Sequence, residues 1–307
     1  MNIVFMGTPD FAEESLRALV GAGYNVSAVF TKPDMPVGRK HILTPPEVKV
    51  AAFELGLTVY QPTTLKDDDV FETLKNLNPD LIVVVAYGKL LPKRVLELPK
   101  YGCINVHASL LPKYRGASPI QWAMVCGERE TGVSTMLLDE GMDTGDILLT
   151  AKTPISDTET VEQLWDRLKE MGGKLLIETV KGLEEGSITP LKQIETDATY
   201  APIIKKSDGL INWSKSAFEI NCKIRGLHAW PVAYTKVDGK MLKIFSAEII
   251  DKQAESGKIL EKEKELVIAC KKDALKITEL QLEGSKRMKT EDFLRGKKIT
   301  ADRLGDD

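Results

Sequence analysis

The segment Cys103-Ile104-Asn105-Val106-His107-Ala108-Ser109 carries an amide and an imidazole two residues apart. It reads as a strand, and residues two apart on a strand project to the same face. An amide and an imidazole side by side near a strand end can both donate to one oxygen, which is what a reaction passing through an oxyanion needs. A single histidine there is more often a hydrogen-bonded core or rim residue. Asn105 and His107 alone leave both readings open.

Other chemistries find less support. Gly7-Thr8-Pro9 follows the first apolar run, where a dinucleotide-binding fold would carry GxGxxG, but the chain continues Asp-Phe-Ala. Without small residues to admit a pyrophosphate, neither NAD nor FAD is expected. The four cysteines, Cys103, Cys126, Cys222 and Cys270, form no CxxC pair, and none of the three histidines sits at zinc-ligand spacing from one. Reduced, mostly buried thiols and no metal are the expectation.

A parallel sheet is the element that would carry such a site. Ile3 to Met6, Val26 to Phe30, Leu57 to Tyr60 and the β-branched run Leu81 to Ala86 alternate with helical patterns near 10–20, 47–55, 67–77 and 160–182. That alternation predicts a Rossmann-like α/β fold: a mostly parallel sheet with helices on both faces. After about residue 190 the style changes. Pro190, Pro202 and Lys205-Lys206-Ser207-Asp208-Gly209 suggest a linker over 190–206. One helix near 214–226 precedes short strands at 232–237, 241–249, 266–269 and 275–282, with Asp238-Gly239 as a hairpin signal. A small OB-like β-barrel over 207–307 is expected there, after a catalytic domain over 1–189.

Leu110-Leu111-Pro112-Lys113-Tyr114-Arg115-Gly116-Ala117 follows Ser109 directly, and Leu138 to Asp146 contains Asp143-Thr144-Gly145-Asp146. With these elements the sequence resembles the folate-dependent formyltransferase superfamily. FMGTPDFA (5–12), TKPDMPVGR (31–39), VVAYGKLLP (84–92), GCINVHASLLPKYRGASPIQ (102–121) and AWP (229–231) extend the resemblance over essentially the whole chain, most closely to members acting on methionyl-tRNA. The resemblance implies a catalytic trio of Asn105, His107 and Asp143, with Ser109, Leu110, Leu111 and Pro112 contacting 10-formyltetrahydrofolate. The end of the Leu81–Ala86 strand, at Val85, Tyr87, Gly88 and Leu90, would line the pterin pocket. Direct attack of an amine on the formyl carbon would give an oxyanion held by Asn105 and His107, with Asp143 assisting proton transfer.

The acceptor is a separate question. Residues 31–46 form a long loop rich in turn formers, and Arg39 matches the arginine with which relatives engage the acceptor end of tRNA. Arg39, Lys40 and Lys206 are the expected tRNA contacts. Residues 206–307 hold 21 Lys and Arg against 17 Asp and Glu, a balance of +4, whereas residues 1–205 balance at −7. A basic small barrel suits a nucleic-acid backbone, although a solvated mixed-charge surface fits the same counts. An initiator methionyl-tRNA partner, a monomer, no membrane segment and a cytoplasmic location complete the expectations. A sugar-specific formyltransferase would be expected to lack Gly38-Arg39. A non-catalytic tRNA-binding paralogue need not keep the trio.

Overall fold

The computed structural model of the protein describes residues 1–38 and 41–305. The chain forms two compact units. The first comprises Met1–Gly116, Thr131–Thr153 and Trp165–Ala201; the second comprises Ala117–Glu130, Pro154–Leu164 and the chain from Pro202 on.

In the first unit the elements run β1 (Asn2–Gly7), α1 (Asp10–Gly21), β2 (Asn25–Phe30), β3 (Met35–Val37), β4 (Ile42–Thr44), α2 (Glu47–Glu54), β5 (Val59–Tyr60), α3 (Asp68–Asn76), β6 (Leu81–Val85), α4 (Lys93–Leu96) and β7 (Cys103–His107). After α5 (Pro119–Val125), which belongs to the second unit, come β8 (Glu130–Leu137), β9 (Ile147–Pro154) and the long helix α6 (Val161–Glu185). The seven-stranded sheet has the order β5-β2-β1-β6-β7-β8-β9. It is parallel from β5 to β7. At β8 it turns antiparallel, with Ile104 opposite Leu137 and His107 opposite Ser134.

Strand composition explains the placement. All five residues of β6 are buried, as a strand covered on both faces requires. Val4, Met6, Ile82 and Val84 join Leu74 of α3, Val95 of α4 and Cys103 in one apolar cluster on one face. Facing the other way, Val106 lies within van der Waals reach of Gly172 in α6. Phe11 of α1 and Trp165 of α6 meet edge to face at 5.4 Å between centroids. Helices thus cover both faces, in accord with the expected Rossmann-like layering. The turn-rich segment 31–46 differs from a plain loop, since β3 and β4 pair antiparallel within it.

The second unit contains α5, α7 (Ala217–Gly226), β10 (Ala233–Val237), β11 (Lys240–Ile250), β12 (Ile259–Glu261), β13 (Leu266–Ala269) and β14 (Ala274–Leu282). Ser216 and Glu219 start α7 with a reciprocal capping box. The strands form an antiparallel sheet ordered β10-β11-β14-β13-β12. Asp238 and Gly239 both have positive φ, as the tight turn between β10 and β11 demands. Register shifts between Ile244 and Ala247 curl the long β11 against β14. Among the described residues no pairing of β10 with β12 closes the sheet, so it is a curled half-barrel rather than a closed barrel. Ala217, Ile220 and Ile224 of α7 pack into its core with Trp213, Leu242, Ile244, Leu266 and Leu280.

No described helix is long and apolar enough to cross a membrane. Among the described residues no group of three His, Cys, Asp or Glu could hold a metal ion.

Candidate active site

Strand β7 carries Asn105 and His107 on the same face. His107 is 6% exposed, while Asn105 is half-buried. Among the described residues the Asn105 amide has no hydrogen-bond partner. Its polar atoms are not among the buried unsatisfied ones, so the amide is open at the surface of the site.

The imidazole is oriented from both sides. His107 Nε2 lies 2.9 Å from the backbone oxygen of Tyr114. A carbonyl only accepts, so Nε2 carries the hydrogen. Nδ1 is then the nitrogen at which a proton can come and go, and it faces Asp143 Oδ2 at 3.7 Å. That separation exceeds a direct hydrogen bond but keeps the two groups in ion-pair range. Because Nε2 is committed to Tyr114, any bond His107 donates to substrate must come from Nδ1.

Asp143 belongs to the loop joining β8 and β9. The loop leaves β8 opposite Ile104 and folds back until Asp143 faces His107. Asp139 Oδ1 ties the loop internally, accepting from the Gly141 N–H at 2.9 Å and the Thr144 hydroxyl at 2.7 Å. Gly145 lets the loop close on β8, since a β-carbon there would lie 1.7 Å from the Leu137 carbonyl oxygen. Asp143 itself has φ of 56°, a conformation few residues other than glycine adopt. Its Oδ2 accepts from the Gly116 N–H at 2.8 Å.

The stretch Ser109–Pro112 is built against β8. The Ser109 hydroxyl is buried and donates to the Lys113 carbonyl at 2.6 Å. The Leu111 N–H donates to Ser134 Oγ at 3.1 Å, and that hydroxyl donates on to the Ser109 carbonyl at 2.7 Å. Leu111 is buried and Leu110 and Pro112 are half-buried. The Ser109 hydroxyl's one hydrogen is therefore committed within the protein, and Leu110 and Pro112 offer the more accessible surface. Leu111–Pro112 is a cis peptide.

The end of β6 divides similarly. Val85 and Tyr87 are buried, with Tyr87 in the apolar cluster beneath the sheet and its phenol pushed up to about 12 by burial. Ala86 and Gly88 are exposed, and Leu90 is 75% exposed. Backbone, Ala86, Gly88 and Leu90 form the exposed surface of this edge, and the side chains of Val85 and Tyr87 lie beneath it. Lys89 donates to the Thr63 carbonyl at 2.9 Å, and burial followed by the neighbouring Lys32 charge lowers its pKa. Lys206 is exposed in a short 3-10 turn of the second unit. Arg39 and Lys40 lie outside the described residues.

Two residues with no role assigned from sequence stand beside the trio. The Arg115 guanidinium is 1% exposed. Its Nε donates to Gln193 Oε1 at 3.0 Å and its NH1 to Glu195 at 2.8 Å. A guanidinium so buried needs such partners, because an unpaired buried charge is costly; Glu195 itself is exposed. The only signal in the sequence was an arginine beside a motif.

Comparison with known proteins matches residues 1–180 to the model described as formyl transferase and residues 203–298 to the formyl transferase C-terminal domain. The chain is 48% identical to the methionyl-tRNA formyltransferase of Lachnospira eligens over 309 residues, covering 98% of each. Among solved structures it resembles an N-formyltransferase from Helicobacter canadensis in complex with folinic acid and dTDP-3-aminofucose, with a TM-score of 0.67 and 20% identity. That alignment covers 90% of this chain and 98% of the other. HypX from Aquifex aeolicus in complex with tetrahydrofolic acid aligns at TM-score 0.63 and 18% identity over 95% of this chain; this chain spans 46% of HypX. At such identities the structural likeness concerns the fold alone.

Proposed function

The chain belongs to the formyl transferase family, and on that premise we propose that it transfers the formyl group of 10-formyltetrahydrofolate to the free amino group of methionyl-initiator tRNA. The acceptor rests on near-full-length identity to relatives named for that reaction, together with the C-terminal domain matched over 203–298. The observation that carries the chemistry is the half-buried Asn105 amide, without a hydrogen-bond partner among the described residues, on the face it shares with His107.

The donor set suits a formyl group in the act of being attacked. When bound, 10-formyltetrahydrofolate supplies the formyl carbon and takes a proton on its N10 as it leaves. Asn105 donates to the formyl oxygen as that oxygen gains charge, and one such donor is worth about 2.7–4 kcal/mol of barrier. His107 presents Nδ1 to the same region, with Nε2 anchored on Tyr114. Asp143 faces Nδ1, and its carboxylate can receive the proton the amine gives up, directly or through water. No covalent enzyme intermediate is needed. The amine–carbon bond forms, the carbon–N10 bond breaks, and the amine's proton ends on N10.

The remaining assignments follow this reading. Leu110 and Pro112, with the exposed end of β6, contact the folate; Arg39, Lys40 and Lys206 contact tRNA phosphates. Residues 1–189 serve catalysis and 207–307 tRNA binding, with 190–206 lying between them in the chain. One chain holds the whole trio, so a monomer suffices. An enzyme acting on charged tRNA works where translation occurs, in the cytoplasm. Incubating the purified protein with 10-formyltetrahydrofolate and methionyl-initiator tRNA, beside elongator methionyl-tRNA and free methionine, tests the assignment. Formylation of the initiator form is expected, and no product with any acceptor would end the proposal.

A further inference from the structure

We infer that Gln193 is a positioning residue for Asp143, and that residues 191–201 are part of the catalytic site rather than a connection leading away from it. The inference rests on the role proposed for Asp143 above. Gln193 Nε2 donates both its hydrogens to the loop, one to the Asp143 carbonyl at 2.8 Å and one to the Gly145 carbonyl at 2.7 Å. Its Oε1 accepts from Arg115 Nε at 3.0 Å. Two carbonyls can only accept and a guanidinium can only donate, so the amide has one possible orientation. Both hydrogens of that nitrogen are directed at the carbonyls of the residues on either side of Thr144.

The clamp answers a local need. Asp143 has φ of 56°, a left-handed conformation that aspartate tolerates better than most side chains but that surrounding contacts help to hold. Gln193 supplies that restraint from the backbone side while the Gly116 N–H supplies it from the carboxylate side. Both restraints converge on Arg115. Its side chain orients Gln193, the peptide before it offers the Tyr114 carbonyl to His107 Nε2, and the residue after it bonds Asp143 Oδ2. The Arg115 backbone is in turn tied to the 191–201 segment, donating to Thr199 O at 2.8 Å and accepting from Ala201 N at 2.7 Å. Leu191 exchanges two 2.8 Å bonds with Ile147, just past the Asp143 loop. Gln193 touches none of the reacting groups; it acts through Asp143.

Two substitutions separate positioning from support. Gln193→Glu removes both donors but keeps the acceptor for Arg115 and nearly the same shape; Gln193→Met removes every polar contact. In formyl transfer to methionyl-initiator tRNA, kcat should fall at least about tenfold in both variants, because displacing a catalytic group slightly is costly. KM for the tRNA and for the folate should stay within about threefold of wild type, since no interaction with bound substrate is lost. A well-folded Gln193→Glu protein with kcat within about twofold of wild type would overturn the inference, as would a loss confined to KM. Should Gln193→Met fail to fold, Gln193→Glu decides alone, and circular dichroism and thermal midpoints report its folding. Wild-type protein in the same assay separates the two levels: if it has no turnover the functional reading falls, whereas active wild type beside unimpaired Gln193→Glu removes only this inference.

Discussion

His107 Nδ1 stands 3.7 Å from Asp143 Oδ2 while the other ring nitrogen, Nε2, is anchored at 2.9 Å to the Tyr114 carbonyl. The anchor fixes which nitrogen faces the carboxylate, and the carboxylate is itself held by the Gly116 N–H at 2.8 Å. Charge and geometry at this pair can therefore be separated. Asp143→Asn keeps an oxygen to accept from Gly116 but removes the negative charge facing Nδ1. We expect kcat to fall by about 10²–10⁴-fold, the usual worth of a positioned acid–base group, with an unchanged thermal midpoint. Retention of most of the wild-type kcat would show that the charge is dispensable.

The loop carrying Asp143 depends on close backbone approach at Gly145, where a β-carbon would lie 1.7 Å from the Leu137 oxygen and 2.8 Å from the Leu137 carbonyl carbon. Neither atom can give way as the tip of a flexible side chain could. Gly145→Ala should lower unfolding stability by about 1–3 kcal/mol, as overpacking does, and lower kcat through displacement of Asp143. Urea unfolding together with steady-state kinetics measures both, and a variant matching wild type in each would contradict the packing account.

Much of the frame was legible in the sequence, and the reasons are specific. Leu81 to Val85 announced itself because a strand buried on both faces needs an unbroken apolar run. Asn105 and His107 could be paired because strand periodicity alone puts them on one face. Asp143 could not be reached that way. Its loop leaves β8 opposite Ile104 and folds back to His107, and no residue spacing encodes that return. Gln193 was hidden for a related reason. Its neighbours Pro190 and Pro202 read as a connection, while its partners, Arg115 and the carbonyls of Asp143 and Gly145, lie 48–78 residues away. The β3–β4 pairing escaped notice because turn formers dominate 31–46, and how far the OB-like sheet closes was not legible because strand spacing does not specify closure.

If Arg39 contacts tRNA phosphate, Arg39→Ala should raise KM for methionyl-initiator tRNA while leaving KM for 10-formyltetrahydrofolate near wild type. Binding should also weaken as salt rises, and the slope of log affinity against log salt should become shallower by about 0.7–0.9 when one phosphate contact is lost. Equal effects on both substrates, or an unchanged slope, would argue against a phosphate contact.

The second unit offers a test by pH. Backbone and side-chain hydrogen bonds from Ser216, then the Lys215 contact, hold the Glu219 carboxyl down at about 2 from its ordinary 4.5. A carboxyl lowered in the folded state adds stability that is complete above its unfolded pKa and disappears as pH falls through the folded one. The difference in unfolding midpoint between wild type and Glu219→Gln should therefore be present at neutral pH and should shrink as pH falls from about 4.5 toward 2. A gap that persists unchanged across that window would mean the α7 capping box gains nothing from the charge.

On the proposed reaction, Asn105 and His107 stabilise the charge formed when an amine attacks the formyl carbon. Single-turnover formylation of methionyl-initiator tRNA by Asn105→Ala and His107→Ala, with folate and tRNA both saturating and folate affinity measured independently, tests it most directly. A fall in the transfer rate of about 10²–10³-fold for each, at unchanged folate affinity, is the predicted result. Transfer at close to the wild-type rate by either variant would contradict the account.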